Sequence, residues 1–341
     1  MKGSHERLKP FLRIMGSVIV VIFGILSILG SGGGGNSSDI SGTPSGTTPS
    51  SIKAFNFNAG NSVTAAQVAA STMAFFSDFS THDQTILTTL AASDPANSPF
   101  DLALCMNTGT SKLSWIDSDH SGDISIGDSA TLQFTNCDLD GSGATATGTA
   151  KFGVTSVKPD PTINSVGFNV SVNVAISKTP DTTTYIASFG EIASKPMNAD
   201  FTNVYTANDY SGQKLTVTKN GAPIYELGCF KVTKSYRDGE NPGTYRLSPS
   251  GVINVSNAIM SLAGGPELSF ISDKIEAGKK LLLSLSAPEC AALGAPNGVG
   301  DSDGSYIGME ALGGGNVRLH TFDATNVEQS TIDTTWDALL I

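Results

Sequence analysis

The sequence is poor in charged, aromatic and basic residues. Charged side chains make up 15% of its 341 residues, and aromatic side chains make up 7%. Lys and Arg together number 20 against 31 for Asp and Glu, so the formal net charge at pH 7 is −11. An acidic surface repels nucleic acid and anionic lipid and attracts cations. This excess of acid therefore predicts that the chain has no nucleic-acid partner.

The familiar catalytic motifs are missing as well. The sequence contains no H-E-x-x-H, G-x-S-x-G, P-loop or dinucleotide-binding pattern. One of its four histidines, His320, has no companion at the sequence spacing of a metal site or a catalytic triad. Asp323 and Glu328 imitate the paired carboxylates of a glycosidase, but an acidic chain contains many such pairs by chance. These absences predict that the chain is not an enzyme. The alternative left open is a secreted hydrolase or carbohydrate-active enzyme whose site is assembled from loops.

Residues 1–32 have the pattern of a signal peptide or an N-terminal membrane anchor. Four basic residues precede an uncharged, mostly apolar run at 14–30. The run is slightly shorter than the roughly 18–20 residues of a typical membrane-spanning helix. Two alternatives therefore stay open, a cleaved secretory signal and an uncleaved anchor in the inner membrane. In both cases the basic flank predicts that the rest of the chain lies outside the cytoplasm, in the periplasm, at the cell surface or secreted.

The remainder of the chain divides into a linker and a folded region. Residues 33–51 are rich in Gly, Ser and Thr, a composition that cannot bury apolar surface and is typical of flexible linkers. Residues 52–341 are predicted to form a β-rich extracytoplasmic domain. Its length allows one unit or two subdomains with a break near 195–240.

The four cysteines favour disulfide bonds. None belongs to a C-x-x-C pair, which argues against a zinc site and against a thioredoxin-type redox site. An even number of cysteines in an exported chain is typical of a disulfide-bonded protein. Four cysteines allow three pairings, and pairing neighbours in the sequence closes the shorter loops. This choice predicts the bonds Cys105–Cys137 and Cys229–Cys290.

The fold class predicted for residues 52–341 is mainly β. Alternation of apolar and polar residues over 166–176 indicates a strand with one buried face, as in an antiparallel sheet of sandwich or barrel-like form. Asn220-Gly221 predicts a type I′ hairpin turn, and Pro223 predicts that the next strand begins at an edge. The other predicted strands are 131–137, 145–155, 183–189, 213–219, 224–235, 279–287 and 315–322.

One amphipathic helix is predicted near the start of the domain. Thr64 and Gln67 have the spacing of a capping box. Apolar residues then recur on one face, which predicts a helix over 64–79 and further helical turns over 84–93. The residues of this face are Val68, Thr72, Phe75, Phe76 and Phe79.

The stretch DSDHSGDISIGD at 117–128, the acidic loop, matches the twelve-residue calcium loop of EF-hands. In such a loop, side chains at positions 1, 3 and 5 face the ion, a glycine at 6 permits the bend, and an acid at 12 closes the shell. Gly122 occupies position 6, and Asp128 occupies position 12 with a side chain shorter than the usual Glu. Position 7 contributes its carbonyl oxygen, and position 9 binds directly or through water. The predicted metal ligands are Asp117, Asp119, Ser121, Asp123, Ser125 and Asp128.

The surroundings of the acidic loop leave a second interpretation open. The segment after it is typical of a strand and the one before it is not helical, so the helix–loop–helix frame is missing. No second loop is present to pair with the first. The alternative is a polar turn whose Asp and Ser side chains bond their own backbone. Four aspartates in other acidic turns are predicted outer ligands if the fold brings them close: Asp138, Asp140, Asp301 and Asp303.

Three stretches together resemble a group of bacterial proteins. They are the apolar run ending in LGSGGGG, residues 117–143, and TTWDALL near the C-terminus. These features are similar to uncharacterised bacterial envelope and lipoprotein-like β-rich proteins with a single EF-hand-like loop, of the type called EF-hand domain-containing. Ser31 stands where the lipoproteins carry the lipidated cysteine, so a lipid anchor is not expected.

The sequence thus predicts an exported envelope protein with one structural Ca²⁺ ion in the acidic loop. Its role would be that of a binding or structural component with an envelope or extracellular partner. Contact with a membrane is expected only through the N-terminal segment, if that segment is uncleaved. A purely structural envelope component without a metal is a further alternative.

Overall fold

The computed structural model describes most of the chain that follows the linker. The described residues are 53–139, 141–159, 163–196, 202–207, 213–235, 244–255, 258–264, 268–271, 274–275, 280–284 and 304–340. The predicted signal or anchor at 1–32 and the linker at 33–51 lie outside them. Within the described ranges, no helix combines the length and apolarity needed to cross a membrane.

The described residues are mainly β, as predicted. They contain eighteen strands joined in one sheet. The first nine are β1 (Lys53–Ala54), β2 (Phe100–Leu102), β3 (Thr110–Ile116), β4 (Ser129–Asp138), β5 (Thr145–Pro159), β6 (Ile163–Lys178), β7 (Asp181–Pro196), β8 (Thr202–Thr206) and β9 (Lys214–Lys219). The others are β10 (Ala222–Ser235), β11 (Thr244–Val255), β12 (Ala258–Gly264), β13 (Leu268–Ile271), β14 (Lys274–Ile275), β15 (Lys280–Ser284), β16 (Tyr306–Gly313), β17 (Asn316–Phe322) and β18 (Glu328–Thr335).

The sheet is an antiparallel meander. Strands β2 to β7 pair in sequence order, and β8 and β9 both lie between β7 and β10. The order then continues through β11, β12, β15, β16 and β17 to β18. Strand β13 pairs with β11 and β14, and the short β1 is parallel to β12. Strands on both sides of residues 195–240 therefore belong to the same sheet.

The strongest strand and hairpin signals of the sequence are confirmed. The alternating segment 166–176 lies within β6, which pairs along its full length with β7. Asn220 and Gly221 have φ values of 51° and 81°, which the type I′ turn requires. Pro223 pairs with β9, whereas the pairing of β10 with β11 begins only at Glu226. The proline therefore lies where one side of its strand has no partner among the described strands.

Six strands of five residues or more beyond residue 100 were not predicted from the sequence. They are β3, β8, β11, β12, β16 and β18. The predicted strand 279–287 corresponds to β15, and its residues 279 and 285–287 lie outside the described ranges.

The helix is longer than the sequence predicted. Helix α1 spans Ser62–Ala92 without interruption, so the predicted span 64–79 and the turns over 84–93 form one element. No Gly or Pro occurs between residues 62 and 92 to end it earlier. The predicted capping box is wrong, because Asn61 is the N-cap residue. The Gln67 side chain instead donates from Nε2 to the carbonyl of Ala338 at 3.2 Å.

The sheet curves around α1. On the helix, Phe76 contacts aromatic rings of β7, β8 and β10, and Phe79 contacts Phe152 of β5. The helix also contacts β16 and β17. Laid flat, the strands from β5 to β17 would span about 40 Å, whereas a helix is about 10 Å across. One helix can reach all of them only if the sheet bends around it, and the core lies on this concave face.

Glycine at position 148 is required by the pairing of β5 with β6. Gly148 has φ = 142°, and a Cβ placed there would lie 2.1 Å from the carbonyl oxygen of Asn173. We expect Gly148→Ala to lower the free energy of unfolding by about 1–3 kcal/mol, because the strands must separate to admit the methyl group. Gly153→Ala on the same strand is the matched control, since its Cβ would lie 3.9 Å from its nearest neighbour. Equal midpoints of denaturant unfolding for the two variants would contradict this expectation.

The predicted disulfide between Cys105 and Cys137 is confirmed. It joins the segment after β2 to the end of β4, and the two cysteines have a sequence separation of 32 residues. Two backbone hydrogen bonds reinforce this contact, Met106 N to Asp138 O at 2.7 Å and Asp138 N to Thr108 O at 3.0 Å. Cys229 is also disulfide-bonded. Its predicted partner, Cys290, lies outside the described residues.

Candidate metal centre

The acidic loop joins β3 to β4 and is fixed to the neighbouring strand β5. Gly127 donates its N–H to the carbonyl of Val154 at 3.1 Å, and Val154 donates to the carbonyl of Asp128 at 2.8 Å. The loop therefore sits in a β-hairpin, which confirms the strand expected after it. The sheet holds the C-terminal end of the loop in a fixed position.

The first half of the loop folds around the carboxylate of Asp117. Gly122 donates its N–H to Asp117 Oδ2 at 2.8 Å, and Ser121 donates to Asp117 Oδ1 at 3.2 Å. The Ser121 N–H is shared with Asp119 Oδ1, at 3.0 Å. Gly122 has φ = 82°, the left-handed conformation that the bend requires and that glycine adopts without strain. The backbone thus directs both carboxylates towards the inside of the loop.

Asp128 closes the loop from its buried end. The residue is 1% exposed, and its carboxylate is held by three hydrogen bonds. Oδ1 accepts from the N–H and the hydroxyl of Ser118 at 2.8 and 2.9 Å, and Oδ2 accepts from the N–H of Ser125 at 2.8 Å. A buried carboxylate is tolerated only when it has such partners. Each oxygen has two acceptor sites, so Oδ2 keeps one for a further partner.

Three carboxylates meet inside the loop. Each of Asp117, Asp119 and Asp128 places a carboxylate oxygen within 4.8 Å of those of the other two. The nearby Ser121 hydroxyl, the N–H of Ser121 and the Ser125 hydroxyl together lower the pKa of Asp119 to about 2. Asp119 therefore remains ionised at any pH of physiological interest. Clustered negative charge of this kind attracts a cation.

The remaining predicted ligands lie along the same loop. The hydroxyl of Ser121 donates to the carbonyl of Asp123 at 3.1 Å and accepts from its N–H at 3.2 Å. The Asp123 carboxylate is exposed and is not part of the three-carboxylate group. The Ser125 hydroxyl oxygen is buried and has no hydrogen bond of good geometry with any described residue. It nevertheless lies close enough to Asp119 to contribute to the low pKa of that group.

The predicted outer ligands do not extend this group. Asp138 stands at the opposite end of β4 from Asp128, about 30 Å away for a ten-residue strand. Its carboxylate instead accepts hydrogen bonds from Gly141 N and Asn107 Nδ2, as expected of a turn. Asp140, Asp301 and Asp303 lie outside the described residues. His120 is exposed with φ = 58° and belongs to the bend of the loop.

A second polar cluster was missed by the sequence analysis. His320 has no companion by sequence spacing, but the register of β16, β17 and β18 places Glu310 and Glu328 at its two ring nitrogens. Asp323 and Glu328 have the spacing that resembled a glycosidase pair. The Asp323 carboxylate instead accepts hydrogen bonds from Thr325, Val327 and Gln329 in its own turn. The carboxylates of Asp323 and Glu328 thus have separate local partners.

Comparisons with known proteins add no family to this description. No protein-family model matches the sequence, and neither the curated proteins nor the solved structures include a significant match. The class that the fold and the loop define is therefore an antiparallel β protein, with a central helix and an acidic loop in a hairpin.

Proposed function

We propose that this chain is an exported protein of the bacterial envelope that binds one structural Ca²⁺ ion in the acidic loop. It acts as a binding or structural component with an envelope or extracellular partner, and no catalytic activity is assigned to it. Export is supported by the basic and apolar N-terminal segment and by the Cys105–Cys137 disulfide, since disulfides persist in oxidising compartments.

The observation that carries the calcium proposal is the meeting of three carboxylates on one loop. Like charges with oxygens within 4.8 Å of each other repel, and a bound divalent cation would offset that repulsion. Asp128 contributes to the group although it is buried, at the point where the loop returns to the sheet. A polar turn needs hydrogen-bonding side chains but does not need three converging acids.

The donor set suits a hard cation. Ca²⁺ takes six to eight oxygen ligands from carboxylates, carbonyls, hydroxyls and water. The loop offers the carboxylates of Asp117, Asp119 and Asp128, the hydroxyls of Ser121 and Ser125, and the carbonyl of Asp123. Because Asp128 Oδ1 already accepts two hydrogen bonds, its carboxylate has only Oδ2 available, which favours weak binding with Kd about 10⁻⁴–10⁻³ M.

Calcium would act on the stability of the loop and of the strands that it joins. Neutralising the three acids fixes the β3–β4 connection and its contact with Val154 of β5. At 10 mM Ca²⁺ and the Kd given above, binding adds about 1.4–2.7 kcal/mol to the free energy of unfolding. Sodium at the same ionic strength should not reproduce this gain, because a monovalent cation attracts the three carboxylates less strongly.

The test is calorimetric titration of the purified chain with CaCl₂, beside the variants Asp119→Ala and Asp101→Ala. Asp119 accepts one hydrogen bond from the loop backbone, so its removal should disturb the loop little, and the loss of one of three carboxylates should weaken calcium binding at least about tenfold. Asp101 is an exposed acid on β2, paired with Lys112 at 3.7 Å, and its removal changes the net charge equally without touching the loop. Its variant should bind calcium as the wild type does. Absence of binding heat in the wild type, or the same loss in both variants, would refute the calcium site.

A further inference from the structure

Two hairpin turns lie side by side and are joined by the side chain of Asn220. Asn220 belongs to the turn between β9 and β10, and Asp181 and Thr182 begin the neighbouring strand β7, directly after the turn that follows β6. The Asn220 N–H donates to the carbonyl of Thr182 at 2.8 Å, and Asn220 Oδ1 accepts from the N–H of Thr182, also at 2.8 Å. Asn220 Nδ2 donates to Asp181 Oδ1 at 2.8 Å. Both polar atoms of the side-chain amide are therefore bound to the neighbouring strand.

Asp181 is a charged acceptor for this amide. Its other carboxylate oxygen, Oδ2, lies 3.2 Å from Lys219 Nζ, and the two side chains are only 20% and 22% exposed. The hydrogen bond from Asn220 is the main reason why the pKa of Asp181 lies below its usual value, and Lys219 acts in the same direction. Asp181 is therefore ionised at neutral pH and holds the Asn220 amide by a charge-assisted hydrogen bond.

Asparagine followed by glycine is also the dipeptide in which a side-chain amide is lost most readily. The Gly221 N–H gives its proton to hydroxide, and the nitrogen then forms a bond with Asn220 Cγ. The side-chain nitrogen takes a proton from water and leaves as ammonia, so that a cyclic imide remains. Water opens this imide at one of its two carbonyl carbons and yields aspartate or isoaspartate. The net change is the loss of one ammonia and the gain of one water.

The turn leaves the attacking nitrogen accessible. Gly221 is exposed, and no heavy atom outside its chain neighbours lies within 4 Å of the position that a Cβ would occupy. Hydroxide and water can therefore reach the Gly221 N–H and the imide that forms from it. The φ values of 51° and 81° at Asn220 and Gly221 belong to the type I′ turn, which favours this dipeptide. The binding of the Asn220 amide to β7 is thus the contact that can restrain the reaction.

We propose that Asn220 is a site of deamidation, and that Asp181 and Thr182 set the rate of this modification by binding its amide. For the attack, the amide group must rotate so that the face of Cγ meets the Gly221 nitrogen. Hydrogen bonds at both Oδ1 and Nδ2 oppose that rotation, and the bond to Asp181 is the stronger because its acceptor is charged.

The modification reverses the contact between the two turns. Asn220 Nδ2 is a donor to Asp181, whereas the carboxylate oxygen that replaces it can only accept. Two negative oxygens then face each other where a hydrogen bond was present. The isoaspartate product also adds one carbon atom to the backbone of a two-residue turn, which disturbs its pairing. Deamidation therefore separates the turn of Asn220 from the start of β7.

The test is incubation of the full chain in mildly alkaline buffer, followed by reduction, proteolysis and mass spectrometry of the peptide that contains Asn220. The native wild type should deamidate there at least about tenfold more slowly than the same chain in denaturant, because unfolding breaks both side-chain hydrogen bonds. Native Asp181→Ala should deamidate at least about fivefold faster than the native wild type, the size expected for one hydrogen bond to a charged group. Asp181→Asn keeps an oxygen acceptor at the same place, and its rate should lie between the two.

The matched control is Asp101→Ala. It removes the same charge from an exposed position on β2, where Asp101 pairs with Lys112, and should leave the rate at Asn220 unchanged. The second Asn-Gly of the sequence, at 297–298, provides a reference rate for the chain in denaturant. The deamidated chain, separated by its additional negative charge, should exchange the Thr182 amide hydrogen about fivefold faster than the unmodified chain, since Asn220 Oδ1 is its acceptor.

Two results would overturn the control of this site by β7. One is an equal rate at Asn220 in the native and the denatured wild type. The other is a rate in native Asp181→Ala that is no higher than in the native wild type, and a lower rate would mean that the carboxylate assists the reaction. If Asp181→Ala fails to fold, Asp181→Asn replaces it, and a rate equal to that of the wild type counts against the proposal. Unchanged exchange at Thr182 after deamidation would refute the separation of the two turns.

Discussion

Replacing Phe76 by alanine is expected to lower the free energy of unfolding by about 3–5 kcal/mol. Phe76 is fully buried at the centre of α1, and its ring contacts Phe189, Tyr205 and Phe230 at centroid distances of 5.1–5.8 Å. These three rings belong to three different strands, so a single truncation leaves a cavity shared by helix and sheet. The lost aromatic pairs add to the lost burial of apolar surface.

Denaturant unfolding of Phe76→Ala beside Ile186→Ala measures this effect. Ile186 lies on β7, three residues from Phe189, but points to the outer face and is 48% exposed. Its truncation should cost less than about 1 kcal/mol, because little apolar surface is uncovered. Comparable losses for the two variants would show that the concave face around α1 is not the core of the protein.

The same contrast between inner and outer faces explains which strands the sequence predicted. In β6, buried valines alternate with exposed polar residues, so periodicity alone identifies the strand. In β16, three neighbours in a row, Ile307, Gly308 and Met309, are buried, and the alternation disappears. Strand β18 was missed for the opposite reason: on its less exposed face, Ile332 is the only apolar residue.

Strand β11, which was not predicted, contains Pro249, and proline is rare inside a sheet. The proline pairs with Val232 of β10 on one side. On the other side, β13 ends its pairing at Leu247 and β12 begins at Ser250, so Pro249 falls in the gap between them. A missing N–H costs nothing where no described strand is present to accept it. The proline is tolerated because of how strands distant in sequence are arranged, which the sequence alone does not show.

The two polar clusters also differ in how far they depend on strand pairing. The carboxylates of Asp117, Asp119 and Asp128 approach one another within a twelve-residue loop, whose glycine and short polar residues define the bend locally. The approach of Glu310 and Glu328 to His320 depends on the register of two hairpins. Because β16 and β18 were not recognised as strands, this second cluster was invisible in the sequence. A cluster within one loop can be predicted from the sequence alone, whereas a cluster formed across strands can be predicted only when the pairing of the strands is known.

Removing the disulfide between Cys105 and Cys137 is the second change expected to have a large effect. The double variant Cys105→Ser/Cys137→Ser should lose about 3–4 kcal/mol, because the bond closes a loop with a sequence separation of 32 residues in the unfolded chain. For a folded region of this size, that loss corresponds to a fall of about 5–7 °C in Tm. The variant is preferable to chemical reduction, since reduction would also open the disulfide of Cys229.

The double variant also separates the effect of the bond from the effect of its surroundings. The hydrogen bonds between Met106, Thr108 and Asp138 span the same contact and do not depend on the sulfur atoms. The native fold of the variant should therefore persist, with the stability loss arising mainly from the freer unfolded chain. Equal Tm values for variant and wild type would show that the unfolded chain is not restricted by this bond. If the variant unfolds faster by a larger factor than it refolds more slowly, the contribution of the bond would instead lie in the native contact between β2 and β4.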